Sequence, residues 1–291
     1  MNDEPRFPPN LVMLVSIVAV STASILVRWS DAPAVIIAMY RMLISVVLLL
    51  PLFIRNDGVS KLRALGTRDL LGLIGVGVVL AIHFASWITS LGMTSVTSSV
   101  IFVHSDPIFV AVVSHFFLKE RINGRVMAGI VISLIGVTII AMGDAVVSEV
   151  SLRGDLLALL GGLMLGIYLL CGRMFRRNLD LTTYVVPVYA SAALVLILMS
   201  ILTGAKLTGY ASREYFLFFL LALVPMIFGH TLYNWALKYV LAPVVSVSLL
   251  GEPIGASILA LLFLNEVPSG LVLIGGAITL AGILLSSYHS E

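Results

Sequence analysis

PIFVAVVSHFFLKERINGRVMAGIVISLIG (residues 107–136) and PIGASILALLFLNEVPSGLVLIGGAITLAG (253–282) align without a gap at a shift of 146 residues. Eleven of the 30 positions are identical. Chance likeness between apolar helices falls on Leu, Val and Ile. Here it falls also on Pro107/Pro253, Phe117/Phe263, Glu120/Glu266 and the glycine pairs Gly124/Gly270, Gly129/Gly275 and Gly136/Gly282. Carried upstream, the same shift sets Trp87 against Tyr233 and Asp106 against Glu252. The chain reads as one unit written twice.

The composition says what kind of unit. Of 291 residues, 60% are hydrophobic and 11% charged, and the mean hydropathy is +1.12. A soluble domain is about 25% charged, because it needs a charged skin to stay dispersed. A bilayer removes that need. A helix crosses one with roughly 17–25 apolar residues, since lipid offers the backbone no hydrogen-bond partner. Runs of that length fall at 11–29, 34–54, 70–91, 96–118, 123–143, 155–175, 182–203, 215–238, 242–264 and 268–287. The intervals carry turn residues and charges, as in KERINGR (119–125) and GRMFRRNLD (172–180), and none is long enough for a soluble domain. The first run reads as a retained span rather than a cleaved signal. The single cysteine, Cys171, excludes an internal disulfide.

With both termini cytoplasmic, the inner segments hold twelve Lys and Arg residues and the outer ones four. The positive-inside rule then predicts an all-α membrane protein with ten transmembrane helices, N-in and C-in. Each half holds five spans, an odd number, so the two repeats, 10–143 and 154–287, are expected to be inverted. Glu120 is placed on the cytoplasmic face and Glu266 on the outer one. Inverted repeats give many secondary carriers two related states around one midplane site.

Two five-span halves, each with a mid-helix Pro, an apolar run, Leu-Lys/Asn-Glu and a glycine-rich helix, resemble the drug/metabolite transporter superfamily and in particular its EamA-type family. Arg41, in MYRMLIS, looks like that family's arginine. The resemblance covers about 10–287. It implies a ten-helix metabolite carrier, often an exporter of amino acids or related compounds, with a cavity lined by the third, fourth, eighth and ninth helices.

Ionisable side chains at membrane depth face protein or water and mark function. Asp106 and Glu252 lie mid-span and each precedes a proline, which frees the carbonyls of Val103 and Leu249 and kinks the helix. A carboxylate there binds a substrate ammonium or a proton, or else serves as structural glue. His104 is a proton partner for them, since imidazole titrates near neutrality. His83 and Trp87 share a face of the third span, and His230, Tyr233 and Asn234 one of the eighth. Aromatic rings and imidazoles around a cavity suit an amphipathic solute; packing glue is the alternative. The candidate substrate-binding set is thus His83, Trp87, His104, Asp106, His230, Tyr233, Asn234 and Glu252, with Asp106, Glu252 and His104 as proton-coupling candidates. Arg41 reads as structural, His115 and Trp235 as interfacial, and Tyr168, Tyr184 and Tyr189 as packing or belt residues. GEPIG (251–255) and GLMLG (162–166) read as close-packing patterns. The cluster Thr94, Ser95, Thr97, Ser98 and Ser99 opens the fourth span as a cap or an entrance.

No HExxH, Cys/His, Walker A or dinucleotide pattern occurs, so no metal, cofactor or catalytic residue is expected. The expected partners are a small-molecule substrate, the lipid bilayer and a coupling proton, with no nucleic acid, and a monomer suffices. The predicted protein is not an enzyme but a multi-pass transporter of the cytoplasmic (inner) membrane, exporting amino-acid-like solutes by secondary transport. A flippase of lipid-linked substrates is the alternative, and a membrane-embedded enzyme is weaker, because its acid/base pair belongs at headgroup level.

Overall fold

The computed structural model describes residues 5, 7–94, 96–145, 152–264 and 269–287. Among the described residues every regular element is a helix. In chain order these are α1 (Pro9–Ser21), α2 (Ala23–Arg28), α3 (Ala34–Arg55), the short α4 (Gly58–Arg63), α5 (Thr67–Leu91), α6 (Val96–Val103), α7 (Pro107–Phe117) and α8 (Gly124–Ala145). The second half has α9 (Leu152–Arg176), α10 (Leu181–Leu202), α11 (Ser212–Leu221), a π-helical segment Ala222–Thr231, α12 (Leu232–Ala236), α13 (Ala242–Leu249), α14 (Glu252–Leu264) and α15 (Gly270–Ser287). Seven helical stretches are long and apolar enough to cross a bilayer: Pro9–Arg28, Ala34–Arg55, Thr67–Leu91, Leu152–Arg176, Leu181–Leu202, Ser212–Ala236 and Ala242–Phe263. Gly124–Ile140 and Leu273–Ser286 are apolar but shorter. The stretch at 96–118 is split into α6 and α7. The outer surface is apolar, with Val47, Leu194 and Leu284 each about two-thirds exposed, which suits lipid and not water.

The splits follow from the prolines. Pro107 has no N–H to give Val103, and α6 stops at Val103; Pro253 has none for Leu249, and α13 stops there. The kinks expected from the sequence are full breaks, with His104–Asp106 and Leu250–Gly251 between the half-helices.

Helices related by the repeat pack on each other. The most extensive contact joins α8 and α15. A Cβ at Gly129 would lie 2.6 Å from the carbonyl oxygen of Gly282, and one at Gly136 would lie 2.6 Å from that of Gly275. Ser133 Oγ donates to Thr279 O at 3.2 Å, and Thr279 Oγ1 donates to Ser133 O at 3.4 Å. Ser133 and Thr279 are repeat mates, so each touches its own counterpart, as residues do beside a two-fold axis. Contacts run 129 with 282 and 136 with 275, so the two helices are antiparallel and the axis is perpendicular to them. The mates α3 and α10 are antiparallel too: Asn56 Nδ2, beyond the end of α3, donates to Thr182 at 3.4 Å, whereas Tyr40 near its start donates to Leu207 O at 3.0 Å.

Ion pairs gather the basic segments at one end of the bundle. Lys61 Nζ lies 2.9 Å from Asp180 Oδ2. The buried Glu120 accepts from Arg173 Nε at 2.6 Å, from Arg177 Nη2 at 2.9 Å and from Ser114 Oγ. Glu120 reaches these partners because the chain turns at Lys119, whose φ is +55°. Glu266 lies outside the described residues. At the other end Glu214 accepts from Ser30 Oγ, and Arg213 donates to the carbonyl of Trp29 at 2.7 Å.

Asp180 also caps α10, accepting from the Thr183 N–H at 3.0 Å and from the Thr183 hydroxyl at 2.7 Å. Partial burial opposes its charge, but the Lys61 ammonium and the threonine donors outweigh that and hold it down to about 2. Its contribution to stability is therefore complete above about pH 4, the unfolded value, and is lost as the pH falls through about 2. Asp180→Ala should lower stability by about 1 kcal/mol at pH 7, with the difference from wild type vanishing in acid, read as melting temperature in detergent.

Gly136→Ala places a Cβ 2.4 Å from Thr279 Oγ1 and 2.5 Å from its backbone nitrogen. It should destabilise by about 1–3 kcal/mol through overpacking. Gly75→Ala meets nothing within 4 Å on α5 and should be neutral or stabilising by up to about 1 kcal/mol. Equal effects of the two changes on the melting temperature would contradict the close helix contact.

Candidate functional site

Where the broken helices cross, a chamber opens between the two halves. Its polar wall is His83 and Trp87 from α5, His104 from the first break, His230 and Tyr233 from the π segment and α12, and Glu252 opening α14, joined by Arg41 from α3. Val20, Ala23, Val103, Leu165 and Leu249 make the apolar wall. The empty volume is ≈ 340 Å³.

Two repeat-mate pairs, Trp87 with Tyr233 and Val103 with Leu249, line it. The acids cross over as well. His104 Nε2 shares a 3.0 Å hydrogen bond with Glu252 Oε2, and Ser246 Oγ donates to Asp106 Oδ2 at 2.5 Å. Each carboxylate is thus held by the opposite half, and both are buried.

The rings are also ordered by hydrogen bonds. His83 Nδ1 donates to Gly161 O at 2.9 Å, fixing that tautomer, and its ring lies parallel to Trp87 at 6.2 Å between centroids. His230 Nδ1 is hydrogen-bonded to the Tyr233 hydroxyl. The π segment ends at Thr231, next to these groups. Such wide turns recur at functional sites. Asn234 Nδ2 donates to Tyr168 OH at 2.8 Å and to His230 O at 2.6 Å.

Of the eight side chains singled out in the sequence, His83, Trp87, His104, His230, Tyr233 and Glu252 line the chamber. Asp106 and Asn234 stand behind its wall: Asp106 at the N-cap of α7, Asn234 bracing the His230 turn from outside. Tyr168, Tyr184 and Tyr189 are fully buried packing residues rather than belt residues. His115 is exposed, its Nδ1 bonded to Glu120 O at 3.1 Å, and Trp235 packs on Tyr239. A Cβ at Gly162 would lie 2.6 Å from Val103 O and one at Gly255 2.2 Å from Ser21 Oγ, so both GxxxG stretches hold helices close. In the serine/threonine cluster Thr94 Oγ1 donates to Asp155 at 2.9 Å and Ser99 bonds Ser90 at 2.6 Å; Ser95 and the side chains of Thr97 and Ser98 lie outside the described residues.

Arg41 is the residue that sequence reasoning missed. It lines the chamber, its relative exposure is 0%, and Nε, Nη1 and Nη2 have no hydrogen-bond partner. The guanidinium sits over the Phe84 ring, 4.3 Å from its centroid. A usable signal was present, since Ala38, Arg41, Met42, Ser45 and Leu49 form the buried stripe of α3, a spacing that puts an intramembrane charge on the inward face.

The chain resembles known transporters along most of its length. A protein of Archaeoglobus fulgidus described as an uncharacterized transporter is 26% identical over 256 residues, covering 86% of each chain. The uncharacterized transporter YdfC of Bacillus subtilis is 25% identical over 250 residues, covering 85% of this chain and 79% of its own. One crystal structure superposes with a TM-score of 0.78 over 97% of both chains at 18% identity, a likeness of fold. The model of the EamA-like transporter family matches residues 8–142 and again 152–288, and the chain belongs to that family.

Proposed function

We propose that this transporter is a secondary carrier working by alternating access and exporting small amphipathic, amino-acid-like solutes across the cytoplasmic membrane. It consists of two inverted five-helix repeats, 10–143 and 154–287, which give ten spans with both termini inside. The observation that carries the reading is the two-fold arrangement around the chamber. Antiparallel mates α8 and α15 meet at Ser133 and Thr279, and the mated pairs Trp87/Tyr233 and Val103/Leu249 both line the chamber. A pocket built between inverted halves gains a mirror state at no extra cost in sequence, which is how such repeats serve alternating access. The collection of Lys61, Arg173 and Arg177 at one end of the bundle supports the orientation, because basic residues stay in the cytoplasm.

The cargo site is the chamber, with His83, Trp87, His230 and Tyr233 as its aromatic wall. The His104–Glu252 bond is the proton-coupling element, since proton uptake there changes the charge of the chamber itself. Asp106 supports it from behind, and Asn234 holds the His230 turn in place.

In a Cys171→Ser background, cysteines introduced at Arg63 and at Thr208 should react oppositely with an impermeant maleimide in intact cells. Position 208 is labelled and 63 is protected until the membrane is opened. Labelling of both from the same side would refute the inverted topology.

In proteoliposomes loaded with a mixture of labelled amino acids, a pH gradient should drive counterflow at least tenfold faster than its absence, an effect of about 1.4 kcal/mol. Glu252→Gln should remove that acceleration while leaving slow exchange. A Glu252→Gln protein that responds to the gradient as wild type does would show that the coupling lies elsewhere.

A further inference from the structure

The chamber wall carries hydrogen-bond donors without a partner, while its carboxylate, Glu252, is bonded to His104 through Oε2. Arg41 presents Nε, Nη1 and Nη2 without a partner, and Trp87 Nε1 is likewise buried and unpartnered. Both side chains line the chamber. Glu252 is the acid on that wall, and its carboxylate is engaged by His104. Among the described residues no carboxylate oxygen comes within 4.0 Å of the Arg41 guanidinium. A buried, unpaired guanidinium is unfavourable unless something supplies its counter-charge, and buried polar groups left unpaired call for an explanation.

We infer that Arg41, assisted by Trp87 Nε1, binds the carboxylate of the transported solute, whose apolar body lies against the Trp87, His83 and Tyr233 rings. This deepens the carrier reading and rests on it. The guanidinium fork matches a carboxylate in a bidentate geometry that a lysine cannot reproduce. The wall supports one anchor and one direction: the repeat mate of Arg41 is Pro187, so the opposite half has no second cation at that position. Phe84 beneath the guanidinium keeps the cation in place by its ring face while leaving the N–H edge free for a ligand. On the acceptor side Glu252 Oε2 is bonded to His104, and the unpartnered Asp106 Oδ1 stands behind the wall rather than on it. The carboxylate is the end that is read.

The test is thermal stabilisation of the purified full-length protein in detergent by two probes that differ in their charged end, 3-phenylpropionate and phenethylamine. The expected result is a concentration-dependent rise in melting temperature with 3-phenylpropionate and none with phenethylamine. Arg41→Gln should abolish the shift, Arg41→Lys should weaken apparent affinity about 10- to 100-fold as charged hydrogen bonds are lost, and Trp87→Phe should weaken it severalfold. Unliganded Arg41→Gln should melt no lower than wild type, because it removes an uncompensated charge; if it does not fold, the Lys and Phe variants read the same contact. Stabilisation by phenethylamine, no response to 3-phenylpropionate, or unchanged 3-phenylpropionate affinity in the Arg41 variants would each overturn the assignment. Those outcomes leave the labelling and counterflow experiments untouched, so a wrong ligand class is separable from a wrong transport mechanism.

Discussion

One missing N–H in each half organises the centre of this molecule. Pro107 and Pro253 cannot donate to the carbonyls four residues back, and in hydrocarbon a released carbonyl finds no water to replace the bond. The only tolerable place for such a break is inside the protein, beside other polar groups. Both breaks lie there. The α6/α7 and α13/α14 junctions face each other, Val103 and Leu249 line the chamber, and Val103 O packs against Gly162 of α9, where any side chain would collide with it. Because the helices stop and restart, residues at the junctions point along directions that a continuous helix denies them. His104 and Asp106 occupy one break and Glu252 starts the helix after the other, each bonded to the opposite half.

The scaffold is symmetric and its contents are not. Gly129, Gly136, Gly275 and Gly282 form a glycine contact that maps onto itself, and without a hydrophobic driving force in lipid such close packing supplies much of the attraction between helices. The chamber keeps the symmetry only in part. Trp87 and its mate Tyr233 both line it, but the mate of His83 is Gly229, that of His104 is Leu250, and that of Arg41 is Pro187. A symmetric frame allows two mirror conformations to have similar energies, whereas an asymmetric lining fixes which end of a solute goes where. Both properties are needed for a carrier that moves one kind of molecule.

The helices were readable from the sequence because apolar length and interrupting charges are local signals. Seven of the ten stretches read as spans coincide with helical stretches long and apolar enough to cross a bilayer. The register of the repeat was readable because prolines and glycines occupy positions dictated by backbone geometry, so they survive divergence that erases Leu and Val. Depth and face gave six of the chamber's polar residues. Asp106 and Asn234 stand behind the chamber wall rather than on it: a break and a π segment rotate side chains away from the face that 3.6-residue spacing assigns, and neither rotation is visible in a list of residue types. The π segment Ala222–Thr231 contains Pro225, yet a proline equally predicts a kink, so its presence did not specify the wide turn. Arg41 reads as structural from the sequence because an arginine early in a span can either be buried against a carboxylate or snorkel to an interface, and residue type does not separate the two.

That arginine also shows how stability and transport are balanced. Packed cores exclude unpaired charge, so a guanidinium with no hydrogen-bond partner and no exposure raises the energy of the empty protein. The Phe84 ring offsets a part, by about 0.5–2 kcal/mol for a desolvated cation over a ring. On the ligand assignment proposed above, a carboxylate supplying the counter-charge relieves that penalty, so part of the binding free energy is already stored in the empty protein.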